Sequence, residues 1–253
     1  MKSMSLILGV AAFCSAVAAA DAATAVNYSL WPRRPVELEQ ARALVLEQKG
    51  AEAVHLLQPF LNDGGIAGRE ARQIVGRINT PRYLTREHPG AYVYTVQRGD
   101  TVQRIARQQA CPAALIMLLN GLTEPAGLRI GQKLLLARMS CRLEIRLKHR
   151  ELCVWDGDTL VADYSLSAGS LGEPFGAGTQ TRLAAIEGES EGMRVPETST
   201  QFPSSDRRLR LENGVYILPE QGGAAEHCLR MPQRDLNELS LLLSLGAQVV
   251  RIN

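Results

Sequence analysis

Three segments near the middle of the chain read YTVQRGDTVQRIA (residues 94–106), LLNGL (118–122) and LRIGQKLLLA (128–137). Strand-forming residues dominate 92–96, and Thr101 stands where its hydroxyl can cap a first helix. Pro112 fits the start of a second helix, which Asn120–Gly121 ends. A closing strand is expected from Lys133 to Leu136. The pattern therefore predicts the order strand, helix, helix, strand within about 45 residues.

The order and spacing of these residues resemble a LysM module covering 92–137. LysM modules bind glycans that contain N-acetylglucosamine, chiefly peptidoglycan and chitin. The resemblance implies a shallow groove between the first turn and the loop that follows the second helix. Its expected lining residues are Gly99, Asp100, Thr101 and Val102 on one side and Asn120, Gly121 and Leu122 on the other.

Exposed turn amides and short polar side chains suit sugar hydroxyls and N-acetyl carbonyls, which favours glycan binding at this groove. A structural interpretation stands beside it for each residue alone. In that interpretation Gly99 and Asp100 only form the turn, and Asn120 only caps the helix.

Composition excludes several classes of protein. The chain has 253 residues, of which 45% are hydrophobic and 21% charged, as in ordinary globular proteins. A disordered chain, a collagen-like chain and a polytopic membrane protein are therefore excluded. The net charge is only +2 and aromatic residues make up 5%, so the sequence does not favour a nucleic-acid partner.

The first twenty residues read as an export signal. Lys2 gives a positive start, an apolar run follows, and Ala18–Ala20 forms a small-residue cleavage site. We expect 1–20 to be removed on export to the periplasm or cell envelope, leaving no stable membrane span. A lipid-anchored start at Cys14 is the alternative, although bulky Phe13 precedes it. Residues 21–35 are expected to form a linker.

Four cysteines remain after that cleavage, namely Cys111, Cys141, Cys153 and Cys228. An exported protein meets an oxidising compartment, and four cysteines allow three disulfide pairings. None of them forms a C-x-x-C pair, so we expect neither a metal site nor a cofactor.

Residues 36–80 have helical periodicity. A first helix is expected from Val36, with Gly50 ending it, and a second through 53–61. A third helix is possible over 70–78, and 81–91 reads as a linker. The first two helices resemble a single tetratricopeptide-type hairpin. One hairpin is below the usual number of repeats, so we expect a helical cap on the rest of the chain rather than a partner-binding array.

The segment 141–253 reads as a mainly β domain with one short helix at 235–244. Alternating apolar residues and an Asp-Gly turn at 156–158 predict a hairpin over 151–164. Residues 187–205 are polar and are expected to form an excursion from the sheet. A strand at 246–252 is expected to close the domain.

Several motifs in this segment resemble the L,D-transpeptidase family, which cross-links peptidoglycan through a catalytic cysteine. They are LCVWDG (152–157), YSLSAG (164–169), Pro174-x-Gly176 and CLRM (228–231), followed by the spacing of the closing helix and strand. The resemblance implies that Cys228 is the nucleophile. It also implies that Arg230 holds a peptide carboxylate, unless Arg230 makes a buried structural pair.

The departures from the family pattern concern the base. The family has His-Gly about sixteen residues before the cysteine, where this chain has Glu212 or Asn213. Ala225 and His227 replace the serine and glycine that precede the cysteine. A carboxylate would raise the pKa of a nearby thiol, whereas an imidazolium lowers it. We therefore expect that Cys228 is not an active nucleophile but a disulfide partner or a buried free thiol. A residual catalytic nucleophile is the alternative.

The predicted fold class is multidomain α+β, with a helical hairpin, a βααβ LysM module and a β-rich transpeptidase-like domain. The first functional hypothesis is an envelope protein that binds peptidoglycan glycan, and stem peptide or another protein in addition, without catalysis. The second is an active L,D-transpeptidase or carboxypeptidase that uses Cys228, with Glu212 as an altered base. The third is an assembly scaffold, which exposed apolar residues near Leu44 and Leu56 would favour.

Overall fold

The structure is a computed structural model, and it contains six α-helices and eleven strands among its described residues. By contacts the chain forms two compact units, residues 1–36 and 37–253. The predicted export signal, Pro174 and Ala225 lie outside the described residues. The described residues are 35–125, 127–167, 176, 178–190, 193–195, 202, 205–221 and 227–252.

The helical segment holds the two expected helices and the possible third, which is longer than 70–78. They are α1 (Val36–Leu46), α2 (Gly50–Leu57) and α3 (Ile66–Tyr83), with a short 3-10 turn at Gln58–Phe60. Gly50 starts α2 and does not end α1, so that expectation was wrong. The turn between the two helices instead uses Gln48 in the left-handed region, with φ of 62°. Helix α3 also runs into the predicted linker, because Pro81 fits within its last turn and Tyr83 is buried.

Leu44 of α1 and Leu56 of α2 are the residues near which exposed apolar side chains would favour the scaffold hypothesis. Leu44 and Leu56 are half-buried and line an open groove of about 780 Å³, together with Glu47 and Glu52. The opposite faces of these helices are buried, with Leu38 and Leu57 fully covered.

The middle segment folds as predicted, into β1 (Ala91–Thr95), α4 (Val102–Gln109), α5 (Ala113–Asn120) and β2 (Lys133–Ala137). The two strands pair antiparallel, with Ala91 opposite Ala137. The Thr101 hydroxyl accepts a hydrogen bond from the Arg104 N–H at 3.2 Å, which is the predicted helix cap. Gly121 ends α5 with a φ of 62°, a backbone conformation that favours glycine.

The remaining strands form one nine-stranded sheet with one helix, α6 (Gln233–Leu242). The sheet order is β10-β9-β8-β6-β11-β3-β4-β5, with β7 paired to β6 alone. The strands are β3 (Cys141–Arg146), β4 (Glu151–Asp156), β5 (Thr159–Ser165), β6 (Gln180–Ser190), β7 (Met193–Val195), β8 (Asp206–Leu211), β9 (Tyr216–Pro219), β10 (Cys228–Met231) and β11 (Gln248–Ile252).

The expected excursion at 187–205 is partly wrong. Strand β6 continues to Ser190, and β7 folds back on it with Gly188 opposite Val195. A Cβ at Gly188 would lie 3.0 Å from the Val195 carbonyl oxygen of β7 and 2.2 Å from the Ser205 hydroxyl oxygen, so a glycine suits this close approach. Residues 187–190 and 193–195 thus belong to a two-stranded extension of the sheet.

Two apolar clusters hold residues 37–253 together. The larger cluster joins the middle segment to the sheet, because Leu115 and Ile116 of α5 belong to the same core as Leu236 and Leu239 of α6. The smaller cluster joins the helical segment to strands β4 and β5. Its members are Leu38, Ala41, Ala53, Leu57, Leu61, Ala71, Val75, Cys153, Trp155 and Leu160. The helical segment is thus packed on the sheet, as expected of a helical cap.

Helix α3 also covers the edge of the sheet at β5. The Asn79 amide donates to the Leu160 carbonyl at 2.7 Å, and the Thr80 hydroxyl donates to the Val161 carbonyl at 3.1 Å. An edge strand otherwise presents unpaired carbonyl and N–H groups. These side chains satisfy part of that edge and set the position of α3 along it.

A buried ion pair ties the same helix to β4. The Arg72 guanidinium lies 2.7 Å from a carboxylate oxygen of Glu151, and both side chains are fully buried. Arg72 also donates to the carbonyls of Leu61 at 3.0 Å and Asp63 at 2.8 Å. Desolvating two charges is costly, so the pair stabilises the fold only while both partners are present.

We predict that Arg72→Met destabilises the chain by about 3 kcal/mol, because the buried Glu151 then keeps only its longer contact to Arg69, at 3.6 Å. The double variant Arg72→Met with Glu151→Leu should recover most of that loss, since no charge is then buried alone. Urea unfolding followed by circular dichroism measures both. Arg82→Met, which changes an exposed arginine of the same helix, is the control. A single variant as stable as the wild type would contradict this assignment.

Candidate functional site

The first turn of the middle segment is held by the Asp100 carboxylate. Its Oδ2 accepts from the Gln97 N–H at 2.7 Å and from the Tyr94 hydroxyl at 2.8 Å. The hydrogen bond from the Gln97 main chain, and after it the bond from Tyr94, holds the pKa of Asp100 below its ordinary value. The carboxylate is thus committed to forming the turn.

The neighbouring residues divide between core and surface. Val102 is fully buried, so only its main chain could reach a ligand. The Thr101 hydroxyl is used as the helix cap. Gly99 is exposed and has a φ of 85°, which leaves its main chain open to solvent.

On the other side, Asn120 fastens α5 to β2. Its amide donates to the carbonyls of Ile116 and Leu135, both at 2.8 Å, and its oxygen accepts from the Leu135 N–H at 2.7 Å. Gly121 is exposed and Leu122 is half-buried. Of the three expected lining residues on this side, Gly121 therefore offers the most accessible surface.

In the sheet, Cys228 is the first residue of β10 and only 2% of its surface is exposed. Parallel pairing puts it opposite Tyr216 of β9, and Tyr216 in turn pairs with Arg210 of β8. On β8, two strands from Cys228, the residue in line with the cysteine is therefore Arg210. Arg210 is a cation two positions before Glu212. Cys228 is therefore buried, with Tyr216 as its neighbour on the adjoining strand.

Glu212 begins the turn between β8 and β9. Its side chain is exposed, and its N–H donates to the Arg182 carbonyl at 2.9 Å. Asn213 accepts from the Val215 N–H at 3.4 Å. Over the residues that the structure describes, no hydrogen bond or ion pair joins Glu212 to Cys228.

Histidine is absent from strands β8 and β9 and from the turn that joins them. His227 precedes Cys228 directly, and its carbonyl accepts from the Tyr216 N–H at 3.0 Å. His149 lies in a 3-10 turn before β4, and His88 is buried just before β1. His55 lies on α2.

Arg230 is bonded to main-chain carbonyls beside β10. Its guanidinium donates to Pro219 at 3.0 Å and to Glu220 at 3.3 Å. Its own carbonyl accepts from the Ser167 N–H at 2.7 Å, which joins the end of β5 to β10. The Ser167 hydroxyl in turn bonds the Glu220 carboxylate. Arg230 therefore organises the chain around 219–220.

The four cysteines of the described residues are free thiols. Burial raises the pKa of Cys111 to about 11, and it raises the pKa of Cys141 and of Cys153 further. These three thiols therefore stay protonated near neutral pH, and none of them has the character of a nucleophile.

The structure contains a buried polar cluster that no sequence motif indicated. It is formed by Glu151, Cys153 and Asp163. Their ligand atoms lie within 4.8 Å of one another, which is close enough to hold a metal ion. Glu151 is, however, already paired with two guanidinium groups, Arg72 at 2.7 Å and Arg69 at 3.6 Å, and the Cys153 thiol donates to Asp163 at 3.4 Å. A protonated thiol with a resident guanidinium fits an internal hydrogen-bond network better than a metal centre.

Asp163 is the titrating member of this cluster. Burial, followed by the negative charge of Glu151, raises its pKa from 3.8 to about 7, although Cys153, Arg72 and Arg69 act in the opposite direction. Between these values the folded chain binds more protons at Asp163 than the unfolded chain does. The stability contributed at this site is therefore lost as the pH rises towards 7.

We predict that Asp163→Asn stabilises the chain relative to the wild type as the pH rises. The difference in unfolding free energy should be small near pH 4 and grow by on the order of 3 kcal/mol by pH 8. Urea unfolding at four pH values measures it. Asp158→Asn is the control, because Asp158 is an exposed acid in the turn that precedes β5. A pH-independent gap for Asp163→Asn would overturn the assignment.

Among the described residues, no helix combines the length and apolar character needed to cross a membrane. Residues 94–137 match the family model of the LysM domain, which confirms the resemblance seen in the sequence. A comparison with the curated proteins finds no match.

Comparison with solved structures finds L,D-transpeptidases. The enzyme from Enterococcus faecium is 10% identical with a TM-score of 0.33, covering 45% of this chain and 50% of that one. The enzyme from Stackebrandtia nassauensis is 12% identical with a TM-score of 0.34, covering 46% of this chain and 57% of that one. The enzyme from Mycobacterium smegmatis is 11% identical with a TM-score of 0.31, covering 49% of this chain and 65% of that one. This chain thus spans between half and two thirds of their lengths. The family is the one that the motifs of 141–253 resemble, and at this level the likeness assigns no chemistry.

Proposed function

We propose that this chain is an exported protein of the bacterial cell envelope that binds peptidoglycan glycan through residues 92–137. The observation that carries the proposal is the match of 94–137 to the LysM domain, on a segment with the complete βααβ order. The apolar run and small-residue cleavage site of 1–20 support export.

The glycan groove of the proposal is built mainly from main chain. Three polar side chains of the groove are hydrogen-bonded within the module itself, namely those of Asp100, Thr101 and Asn120. Gly99 and Gly121, by contrast, are exposed. Main-chain groups without a covering side chain suit the hydroxyl and N-acetyl groups of a sugar chain. In this proposal the polar side chains shape the groove and the glycines leave it open.

We further propose that the β-rich domain, residues 141–253, has lost catalysis. Three features support this: a nucleophile that is nearly fully buried, no histidine in the turn after β8, and an exposed Glu212 without a bond to Cys228. A thiol needs a neighbouring base or cation to become a nucleophile near neutral pH. Arg210, the cation in line with Cys228, lies two strands away and pairs with Glu187 at 3.8 Å. The competing proposal, an active enzyme that uses Cys228 and Glu212, would need the β8–β9 turn to rearrange.

The groove proposal predicts that Gly121→Asn weakens binding of the full chain to insoluble peptidoglycan at least fivefold. A Cβ at Gly121 meets no atom within 4 Å, and Asn tolerates a φ of 62°, so the variant should fold and place an amide over the groove. Co-sedimentation with purified peptidoglycan, read as the bound fraction against polymer concentration, measures the loss.

Gly157→Asn is the matched control. Gly157 has a φ of 58° and equally open space, but it lies in the β4–β5 turn of the sheet. It should bind as the wild type does. Full binding by Gly121→Asn would mean that the groove is placed wrongly, while no binding by the wild type would overturn the proposed function.

A further inference from the structure

A second recess lies between α3, β5 and α6, and its lining includes neither Cys228 nor a residue of the LysM groove. It is a cleft of about 640 Å³. Its polar lining includes Arg77 from α3, Asp163 and Tyr164 from β5, and Arg234, Asp235 and Glu238 from α6.

The walls of this cleft are fixed by close packing. Gly76 lies against β5 so tightly that a Cβ there would be 2.8 Å from the Asp163 nitrogen. The Thr80 hydroxyl bonds both the Gly76 and the Val161 carbonyls, at 2.8 Å and 3.1 Å. Across the cleft, the Tyr164 hydroxyl donates to Glu238 at 2.9 Å and ties β5 to α6. The cleft is therefore preformed, which lowers the cost of ordering a ligand.

The charges around the cleft are of both signs. Arg77 and Arg234 are exposed, and within the described part of the chain neither makes a hydrogen bond or an ion pair. Asp235 is half-buried and, by the same account, accepts no hydrogen bond. Asp163 accepts only the weak bond from the Cys153 thiol. Two guanidinium groups and two carboxylates thus retain free bonding capacity around one cavity.

We propose that the cleft binds an amino-acid or short-peptide ligand that carries both a free ammonium and a free carboxylate group. Arg77 and Arg234 would bind the carboxylate, for which the planar guanidinium is suited. Asp163 and Asp235 would bind the ammonium, whose positive charge favours the ionised form of Asp163. A ligand with only one of the two charges would leave the opposite pair unsatisfied. The proposal rests on the cleft alone and is independent of glycan binding.

The test is a titration of the ¹⁵N-labelled full chain, followed by NMR shifts of the amides of Gly76, Asp163 and Ser165. The probe is dialanine with both termini free. Its matched controls are N-acetyl-dialanine, which lacks the ammonium, and dialanine amide, which lacks the carboxylate. We expect saturable shifts with dialanine and at least fivefold weaker binding of either blocked form. Free alanine is a further arm. Binding as tight as that of dialanine indicates a single amino acid, and weaker binding indicates a peptide.

The variants Arg77→Gln and Arg234→Gln should each weaken dialanine binding at least fivefold. Arg82→Gln, an exposed arginine of α3 outside the cleft, should not change it. Equal binding of dialanine and both blocked forms would overturn the proposal. The absence of shifts at a dialanine concentration of about 20 mM, well above a millimolar dissociation constant, would also overturn it.

Discussion

Burial of one face of α5 determines how the parts of this chain are arranged. Its leucines and isoleucine enter the same core as the apolar face of α6, so the LysM module shares its hydrophobic core with the sheet. Apolar burial is worth roughly 25 cal/mol per Å², which makes such a shared core the main source of cohesion between two small segments. The exposed Gly99 and Gly121 are therefore presented from a fixed base rather than from a module on a tether.

At its β5 edge, the same sheet is stabilised by polar and charged side chains of α3. Helix α3 covers the β5 edge with two side-chain bonds and adds the buried pair between Arg72 and Glu151. Asp163 lies where this buried network meets the polar cleft, since it contacts Cys153 and also lines the cavity. Stability and recognition thus use the same carboxylate. Its raised pKa records the cost of placing an acid there.

Local sequence patterns predicted the LysM module well because each of its signals acts over a few residues. Thr101 caps the helix that follows it, and Gly121 ends the helix that precedes it. The helical segment was harder to predict. Gly50 suggested a helix end, but the chain makes its turn with Gln48, and packing of Tyr83 prolongs α3 beyond Pro81.

The features that local patterns could not predict depend on contacts between distant residues. Arg72 and Glu151 are 79 positions apart, and each reads in isolation as an ordinary surface charge. The register of the sheet likewise determines what faces Cys228. Counting back along the sequence pointed to Glu212, whereas strand pairing puts Tyr216 and then Arg210 in line with the cysteine. The cleft charges come from three elements that no single motif joins.

We propose that this chain binds peptidoglycan and that its transpeptidase-like domain lacks a working nucleophile. The most direct measurement is exposure of the non-reduced, full-length protein to a carbapenem, a β-lactam that acylates the cysteine of the family resembled. Intact mass and peptide mapping then report the state of Cys228. The account predicts that Cys228 remains unmodified under native conditions. A stoichiometric adduct on Cys228 would contradict it and would point to an active enzyme with an unusual base.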